Sequence, residues 1–380
     1  MIKPKIRFDN NYPEWAVVKV EDIIDYERPD KYIVKSDIYC GFGVPVLTAN
    51  KSFILGFTDE SEGVYEGTSA IIFDDFTCDS KYVDFPFKVK SSAIKILKSK
   101  DDNETSLKFF FECLNSKAYK PKGHQRHWIG IIQKQELAIP CYQEQQKIAA
   151  FFTALDEKIS LTMEKISSIR KINNKLVSDI LDGGIRFSSA NGQPFPNWKR
   201  EKFCKSFSVK MCKRIFKEET LDKGDVPFYK IGTFGGKADS YITNELFESY
   251  KKKYSYPSKG DTLISCSGTV GRCVIFDGSP SYFQDSNIVW LEPNDKNLDY
   301  DKFYLTSVLE NLRWDSLSSS TIKRIYSKDL LEKEWFIPCL DEQQIIAEFI
   351  SMLNNKLAIE NEKLSSLMKL KMAFMQQMFV

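Results

Sequence analysis

The fold of this chain is decided by residues 139–149, which read I-P-C-Y-Q-E-Q-Q-K-I-A and occur twice. The second copy, residues 337–347, reads I-P-C-L-D-E-Q-Q-I-I-A. The match continues, because 16 of the 33 positions from 139 to 171 are identical to those from 337 to 369 without a gap. A chain built from two copies of one unit indicates a partner that also has two halves.

The front ends of the two halves match more loosely. Arg7-Phe8 and Pro13-Glu14-Trp15 in the first half correspond to Arg186-Phe187 and Pro196-Asn197-Trp198 in the second. Between these anchors and Ile-Pro, almost nothing aligns except the last stretch, where Arg126 matches Arg324 and Glu136 matches Glu334. The sequence therefore predicts a variable domain at 1–140, a helix at 141–184, a second variable domain at 185–338 and a second helix at 339–380.

Each predicted helix carries a strict heptad pattern. Steps of four and three residues from Ile148 and from Ile346 meet mainly apolar side chains for more than four heptads. This spacing is typical of a coiled-coil seam, although each helix could instead pack only on its own domain. The predicted seam residues are Leu155, Ile159, Thr162, Ile166, Ile169, Asn173 and Leu176 in the first helix, and Leu353, Leu357, Glu360, Leu364, Leu367, Lys371 and Phe374 in the second.

Polar residues occupy the same two repeat positions in both seams. They are Thr162 and Asn173 in the first helix, and Glu360 and Lys371 in the second. An antiparallel register with Thr162 beside Lys371 and Asn173 beside Glu360 matches every polar seam residue with another, so we expect this register. Two such helices of about 35 residues would form a spacer about 50 Å long.

The composition is typical of a soluble protein and gives no sign of bulk affinity for nucleic acid. The net charge is +2, with 42% hydrophobic and 28% charged residues, so a DNA-binding surface must come from local asymmetry of charge. No apolar run reaches the roughly 20 residues of a membrane span, and residues 1–11 lack the core of a signal peptide. Nine cysteines without a C-x-x-C pair indicate reduced thiols. We therefore expect a cytoplasmic protein without a membrane partner.

The duplicated helix entrance and the alternation of domain and helix resemble the specificity subunit of a Type I restriction–modification system. The resemblance covers the whole chain, and I-P-x-x-x-E-Q-Q-x-I-A is its most specific part. It implies an α+β fold, in which two mixed α/β target-recognition domains are joined by two long antiparallel coiled-coil helices in a pseudo-twofold arrangement. It also implies that each domain reads half of a split double-stranded DNA target. Two methylase subunits would assemble on the chain, and two restriction subunits can then join.

The sequence lacks the motifs of the activities that this family places on partner subunits. An adenine-N6 methylase needs an N/D-P-P-Y/F loop, and the chain has no Pro-Pro dipeptide. A Walker loop needs Gly before Lys-Ser/Thr, but Asn50 precedes Lys51-Ser52. The resemblance places S-adenosylmethionine on the methylase subunits and ATP with Mg²⁺ on the restriction subunits. We expect a binding subunit that is not an enzyme and holds no cofactor or metal.

In the second domain, a glycine turn and a polar run are the candidate DNA contacts. The turn S-G-T-V-G-R supplies Ser267, Thr269 and Arg272, whose hydroxyls and guanidinium suit phosphate or guanine. Gln284 and Asn287 belong to a polar run and have the side chains that read adenine. An ordinary hairpin turn and a hydrogen-bonded loop are the respective alternatives.

We expect no counterpart of that turn in the first domain. Its candidates are Thr48, Asn50 and Lys51, together with the stretch before Ile-Pro that holds Lys122, Gln125, Arg126 and His127. The equivalent stretch of the second domain holds Lys323 and Arg324. For the matched arginines a surface salt bridge is the alternative. His124 and His127 could place two imidazoles on a metal, but no Cys or His completes four ligands nearby. The paired Asp74-Asp75 could suggest a magnesium site, but carboxylates after a buried strand are more often turn formers.

Two further expectations follow from these patterns. The lysine run at 88, 90, 95, 98 and 100 predicts a solvated face. The repeat predicts that a fragment ending near Gly184 pairs with a second copy of itself and reads a palindrome. The rival function is a coiled-coil scaffold that joins two protein-binding domains and has no role on DNA.

Overall fold

The structure, a computed structural model, describes residues 3–50, 52–117, 119, 125–314 and 324–380. The chain divides into two compact units. The first unit comprises Met1–Lys165 and Glu360–Val380, and the second comprises Ile166–Ile359. Both units combine helices with sheets, so the predicted α+β class is confirmed.

Up to the point where the chain enters the second unit, the described part of the first unit contains nine strands and three α-helices. The strands are β1 (Ala16–Lys19), β2 (Ile24–Glu27), β3 (Val44–Leu47), β4 (Ile54–Thr58), β5 (Ala70–Asp74), β6 (Ser80–Val83), β7 (Lys88–Val89), β8 (Ile94–Ser99) and β9 (Glu136–Ile139). The helices are α1 (Val20–Ile23), α2 (Leu107–Ser116) and the long α3 (Tyr142–Leu181), whose last residues belong to the second unit.

The described part of the second unit repeats this pattern. Its strands are β10 (Lys199–Lys202), β11 (Phe207–Met211), β12 (Val226–Tyr229), β13 (Tyr241–Ile242), β14 (Thr262–Ser265), β15 (Cys273–Ile275), β16 (Tyr282–Phe283), β17 (Ile288–Pro293) and β18 (Glu334–Ile337). Its helices are α4 (Phe203–Ser206), α5 (Asn244–Lys253), α6 (Lys302–Glu310), α7 (Ser327–Leu331) and the long α8 (Leu340–Met378), which ends in the first unit.

The two units share one sheet topology, which the weak alignment of their interiors does not reveal. The first unit contains the sheets β1-β9, β2-β8-β5-β6 and β4-β3-β7. The second contains β10-β18, β11-β17-β14-β15 and β13-β12-β16, which is the same order strand for strand. Strands β5 and β14 are therefore equivalent, and both are fully or almost fully buried because they lie inside their four-stranded sheets.

An ion pair at the start of each long helix explains the matched arginine and glutamate of the repeat. Arg7 donates to both carboxylate oxygens of Glu144, at 2.9 and 2.6 Å, and this bond raises the pKa of the guanidinium. Arg186 makes the same pair with Glu342, at 2.8 and 2.9 Å. Trp198 Nε1 adds a hydrogen bond to Glu342 at 2.7 Å. Both carboxylates are fully buried, so each needs its partner.

The first glutamine of each Glu-Gln-Gln triplet ties the long helix to a shorter one. Gln145 Oε1 accepts a hydrogen bond from the backbone of Ser106, the N-cap of α2, at 2.9 Å, and Gln343 Oε1 accepts one from Asp301, the N-cap of α6, at 2.9 Å. The Nε2 atoms donate to the carbonyls of Pro140 and Pro338. The motif thus fixes where each long helix leaves its domain.

The long helices bury the residues at the heptad positions. Every predicted seam residue is buried or half-buried. Between Leu353 and Lys371, all residues that do not belong to the predicted seam are exposed. In the first unit, Ile148 and Phe152 of α3 share a core with Met378 and Phe379. In the second unit, the end of α3 shares a core with the start of α8. Within each unit the two helices therefore run antiparallel.

The register differs from the expected one by one heptad. Lys371 pairs with Asp156 at 2.6 Å rather than lying beside Thr162, whose hydroxyl donates to the carbonyl of Lys158. Asn173 Nδ2 donates to the carbonyl of Leu353 at 3.2 Å, and Glu360 forms an ion pair with Lys165. The shift is favourable because it buries the apolar end of α8 in the first core, while the polar seam residues bond to backbone or to flanking charges.

Candidate nucleic-acid interface

In the second unit, the structure brings together three segments that the sequence suggested separately. Ser267 donates to Asn287 Oδ1 at 2.8 Å. Arg324 donates to the carbonyl and hydroxyl oxygens of Ser286, at 3.1 and 3.2 Å. The backbone of Ile325 donates to the carbonyl of Cys266 at 2.8 Å. The glycine turn, the polar run and the stretch before Ile-Pro therefore form one continuous edge.

The glycine turn connects β14 to β15 and depends on its glycines. Gly268 and Gly271 have φ values of +66° and +79°, which side chains disfavour. A Cβ at Gly271 would also lie 2.5 Å from Trp314 Nε1. Thr269 and Arg272 are exposed, and Arg272 Nη1 donates to the carbonyl of Phe234 at 2.8 Å. The turn thus presents a hydroxyl and a guanidinium whose direction is held by the fold.

The side chains of the polar run are oriented by hydrogen bonds of their own. Gln284 Oε1 accepts from the backbone of Ile231 at 2.9 Å, and Gln284 and Asn287 are half-buried. Ser286 has a positive φ of 51°, which fits the tight bend that meets Arg324. Burial raises the pKa of Cys266 to about 11, while nearby Arg324 lowers it, so the thiol is neutral at pH 7. The edge is therefore preorganised, and its positive charge comes from Arg272 and Arg324.

A cavity of about 290 Å³ beside this run holds three basic residues that sequence reasoning did not single out. They are Arg214, Lys217 and Lys230, and Gln284 and Asn287 line the same cavity. Arg214 is oriented by Asp285 at 2.9 Å, and Lys230 by Asp239 at 3.2 Å. Their only signal in the sequence is the basic run around Arg214, which many exposed loops share.

The first unit does have a counterpart of the glycine turn, contrary to expectation. Because β5 is equivalent to β14, the connection from β5 to β6 occupies the same place. The backbone of His127 donates to the carbonyl of Asp75 at 3.0 Å, as Ile325 does to Cys266. The sequences of the two turns share no pattern, so only the strand pairing reveals the match.

Asp74 and Asp75 hold this first turn in place. Asp74 Oδ1 accepts from the backbones of Phe76 and Thr77, both at 2.9 Å, as expected of a turn. Asp75 is buried, lies 3.7 Å from Lys95, and accepts from the backbones of His127 and Trp128. Among the described residues, no group of His, Cys, Asp or Glu is arranged to hold a metal ion.

The structure corrects the DNA contact expected of His127. Its side chain is only 3% exposed, and Nδ1 lies 3.0 Å from the carbonyl of Asp75. His127 is buried because Asp75 accepts hydrogen bonds from the backbones of His127 and Trp128. Gln125 and Arg126, which precede it, are exposed and remain candidates.

The remaining candidates of the first unit form a local turn at the end of β3. Thr48 Oγ1 accepts from the backbone of Asn50 at 3.2 Å, and Asn50 is exposed. Lys51, Lys122 and Lys323, together with His124, lie outside the described residues.

The lysine run of the first unit is not a uniformly solvated face. Lys88 and Lys95 are buried, with Lys88 at 3.1 Å from Glu60. Lys98 lies 2.8 Å from Glu27 and lowers the pKa of that carboxylate. Lys88, Lys95 and Lys98 make contacts within the unit because they belong to β7 and β8, most of whose residues are buried.

Comparison with known proteins places the chain in a family. Residues 12–171 and 198–369 match the family described as Type I restriction modification DNA specificity domain. A putative type I restriction enzyme specificity subunit of Haemophilus influenzae is 55% identical over 142 residues, which cover 37% of this chain and 36% of that protein. A type I restriction enzyme specificity subunit of Escherichia coli is 42% identical over 160 residues, covering 40% and 39%. The matches thus span less than half the length of these relatives.

Solved structures show the same fold over the whole chain. The crystal structure of the S subunit of a type I restriction–modification system from M. genitalium has a TM-score of 0.62 at 18% identity, and the match covers 100% of this chain and 99% of that one. A chain from a structure that addresses complex assembly and conformational transition of the type I R-M system has a TM-score of 0.58 at 17% identity, covering 97% and 98%. Since the family match extends over most of both halves, the chain belongs to the family of type I restriction–modification DNA specificity domains.

Proposed function

We propose that this chain is the specificity subunit of a type I restriction–modification complex, in which each unit reads one half of a bipartite double-stranded DNA target. The observation that carries the proposal is the duplicated edge. In both units, the turn after the equivalent strands β5 and β14 is bonded to the segment that holds Arg126 or Arg324. Different side chains on the same frame suit two different half-sequences.

The second edge offers both kinds of contact that sequence-specific DNA binding needs. Arg214, Lys217 and Lys230 supply positive charge for phosphates, which gives affinity and orientation. Gln284, Asn287 and Arg324 are the side-chain types that read base edges in the major groove. In the first unit, Gln125, Arg126 and Asn50 would take these roles.

Catalysis would belong to partner subunits. S-adenosylmethionine would bind to the methylase, and ATP with Mg²⁺ to the restriction subunit. In the described part of the chain, none of the helices is both long and apolar enough to span a membrane. We place the complex in the cytoplasm, where its DNA is.

The repeat supports two methylase subunits per chain. Gln146 and Gln344, the last residues of the two Glu-Gln-Gln triplets, are exposed, whereas the two residues before each are buried in contacts within the chain. Contacts within the chain therefore explain why Glu and the first Gln of the triplet recur, but they do not explain why the second Gln recurs. A methylase surface that binds at Gln146 in the first half finds the equivalent Gln344 in the second.

Binding of the full chain to a randomised duplex library should depend steeply on salt. We expect the affinity to fall about 100-fold or more between 50 and 200 mM salt, because each neutralised phosphate releases counterions. Fluorescence anisotropy at several salt concentrations measures the slope. Sequencing the selected duplexes should then show two short motifs separated by a fixed gap.

Heparin, a polyanion that competes with the duplex for the protein, and a chain carrying Lys217→Gln and Lys230→Gln serve as controls, and the variant should show a shallower salt slope. Salt-independent binding, or selected duplexes without a common motif, would instead favour the scaffold function. In cells, comparing methylated adenines with and without the gene tests the same proposal in the assembled complex.

A further inference from the structure

Four charged side chains form a closed ring in the first unit. Lys108 Nζ lies 2.9 Å from Glu112 Oε1 and 3.4 Å from Asp156 Oδ2. Lys371 Nζ lies 3.3 Å from Glu112 Oε2 and 2.6 Å from Asp156 Oδ1. Each lysine bridges both carboxylates, so opposite charges alternate around the ring. The ring joins α2, α3 and α8.

The charges of the ring balance, and Glu112 within it is fully shielded from solvent. The side chain of Glu112 is 0% exposed, those of Lys108 and Lys371 are 17% and 20% exposed, and that of Asp156 is 34% exposed. Lys371 also lies over the ring of Phe152, and Lys108 over those of Tyr82 and Phe111. A shielded carboxylate that loses one of its cations is strongly destabilised, so the residue that occupies the position of Lys371 matters.

At the equivalent positions of the second half, all of them described, no such ring forms. The N-caps Ser106 and Asp301 align α2 with α6, which places Phe303 at the position of Lys108 and Ser307 at that of Glu112. The repeat of the long helices aligns the other two positions, and the four equivalents of Lys108, Glu112, Asp156 and Lys371 are Phe303, Ser307, Asn354 and Asn173. None of these four is charged.

This asymmetry distinguishes the pairings that the repeat would otherwise allow. When the first half pairs with the second, as in the intact chain, both sets of positions are neutral. In a pair of first halves, each ring would contain Lys108, Glu112, Asp156 and Asn173, with one uncompensated negative charge. In a pair of second halves, Lys371 would face no carboxylate at either site. If the halves of two chains exchanged to give one pair of first halves and one pair of second halves, four uncompensated charges would therefore result.

We propose that the Lys108–Glu112–Asp156–Lys371 ring selects the helix that completes the first half. It accepts a helix with lysine at the position of Lys371 and rejects a second copy of the first half, which offers Asn173. The ring thus opposes the pairing of like halves that the repeat alone suggests. This selection concerns the assembly of the chain and is independent of DNA binding.

The test uses the full chain with a protease site at the exposed Gly184, and the chain is folded before it is cut into its two halves. The halves are then partly dissociated and allowed to reassociate. Native mass spectrometry measures the fractions of first–second, first–first and second–second pairs. We expect the unmodified halves to return to first–second pairs. With Lys371→Asn, like and unlike pairs carry equal total uncompensated charge, so the fraction of like pairs should rise about 10-fold or more.

Lys369→Asn is the matched control, because Lys369 is exposed on the same helix, and it should sort like the unmodified chain. If Lys371→Asn alone fails to fold, Glu112→Gln with Lys371→Asn decides, since that ring is neutral again. This double variant should fold and yet sort without preference. Either variant sorting as faithfully as the unmodified chain, or unmodified halves forming like pairs, overturns the proposal.

Discussion

Arg7→Met should destabilise the first unit by about 3–5 kcal/mol, because it leaves the fully buried Glu144 without its cation. Methionine keeps most of the apolar stem, so the loss reports the ion pair with Glu144 and the hydrogen bonds that Arg7 donates to Glu144, Tyr12 and Pro13 rather than packing. Hydrogen exchange with mass spectrometry, read separately for peptides of the two units, measures the effect. Amides of β1, β9 and α2 should lose protection, whereas those of β14 and β17 should not.

Arg186→Met is the matched comparison in the second unit and should cost less, about 1–3 kcal/mol. Arg186 is 32% exposed, so water can reach the site, and Glu342 keeps its hydrogen bond from Trp198. Adding Glu144→Gln to Arg7→Met should recover part of the loss, because an amide tolerates burial better than a charge. Equal losses for both arginines, or no recovery in the double variant, would contradict this account.

Arg324→Ala should weaken binding of the full chain to its selected target about 10- to 100-fold and relax one half-site only. Arg324 is positioned by Ser286 beside Asn287 and Ser267, so its removal takes a guanidinium from the candidate reading edge of the second unit. Selection from randomised duplexes, followed by sequencing, measures both affinity and motif. The half-site read by the first unit should stay unchanged.

Arg200→Ala is the control for this experiment. Arg200 pairs with Glu334 at 2.6 Å in the sheet β10-β18, which is separate from the sheet that carries the glycine turn, so binding and motif should be unaffected. Arg324→Lys separates charge from shape, since lysine keeps the charge but lacks the planar fork that suits guanine. We expect it to retain most of the salt dependence but to lose discrimination. If the selected motif is unaltered in Arg324→Ala, this arginine only holds the edge together through Ser286 and does not read bases.

The heptad spacing identified which residues of the long helices are buried, but it could not give their register. A shift of seven residues keeps the same seam positions in contact, so Thr162, Asn173, Glu360 and Lys371 allow two solutions. The choice depends on groups outside the seam or at its end. Asp156 and Glu112 attract Lys371, and the first core accepts Met378 and Phe379.

The candidate interface was predictable in the second unit and largely hidden in the first. The glycines of the β14–β15 turn leave a pattern in the sequence because they need positive φ values. The corresponding turn of the first unit has Asp75 instead, and its role depends on bonds to backbone 52 and 53 residues further along. His127 illustrates the same point, since a contact distant in sequence removes it from the surface.

The sharing of α8 between the units has a consequence for synthesis on the ribosome. Met378 and Phe379 complete the core of the first unit, but Ile166–Ile359 must be translated before them. At about 5–20 residues per second, the nascent first unit waits roughly ten seconds or longer with one apolar face uncovered. During that interval, misfolding and aggregation compete with native closure, so translation speed through the second half should influence how much of the protein reaches its native state.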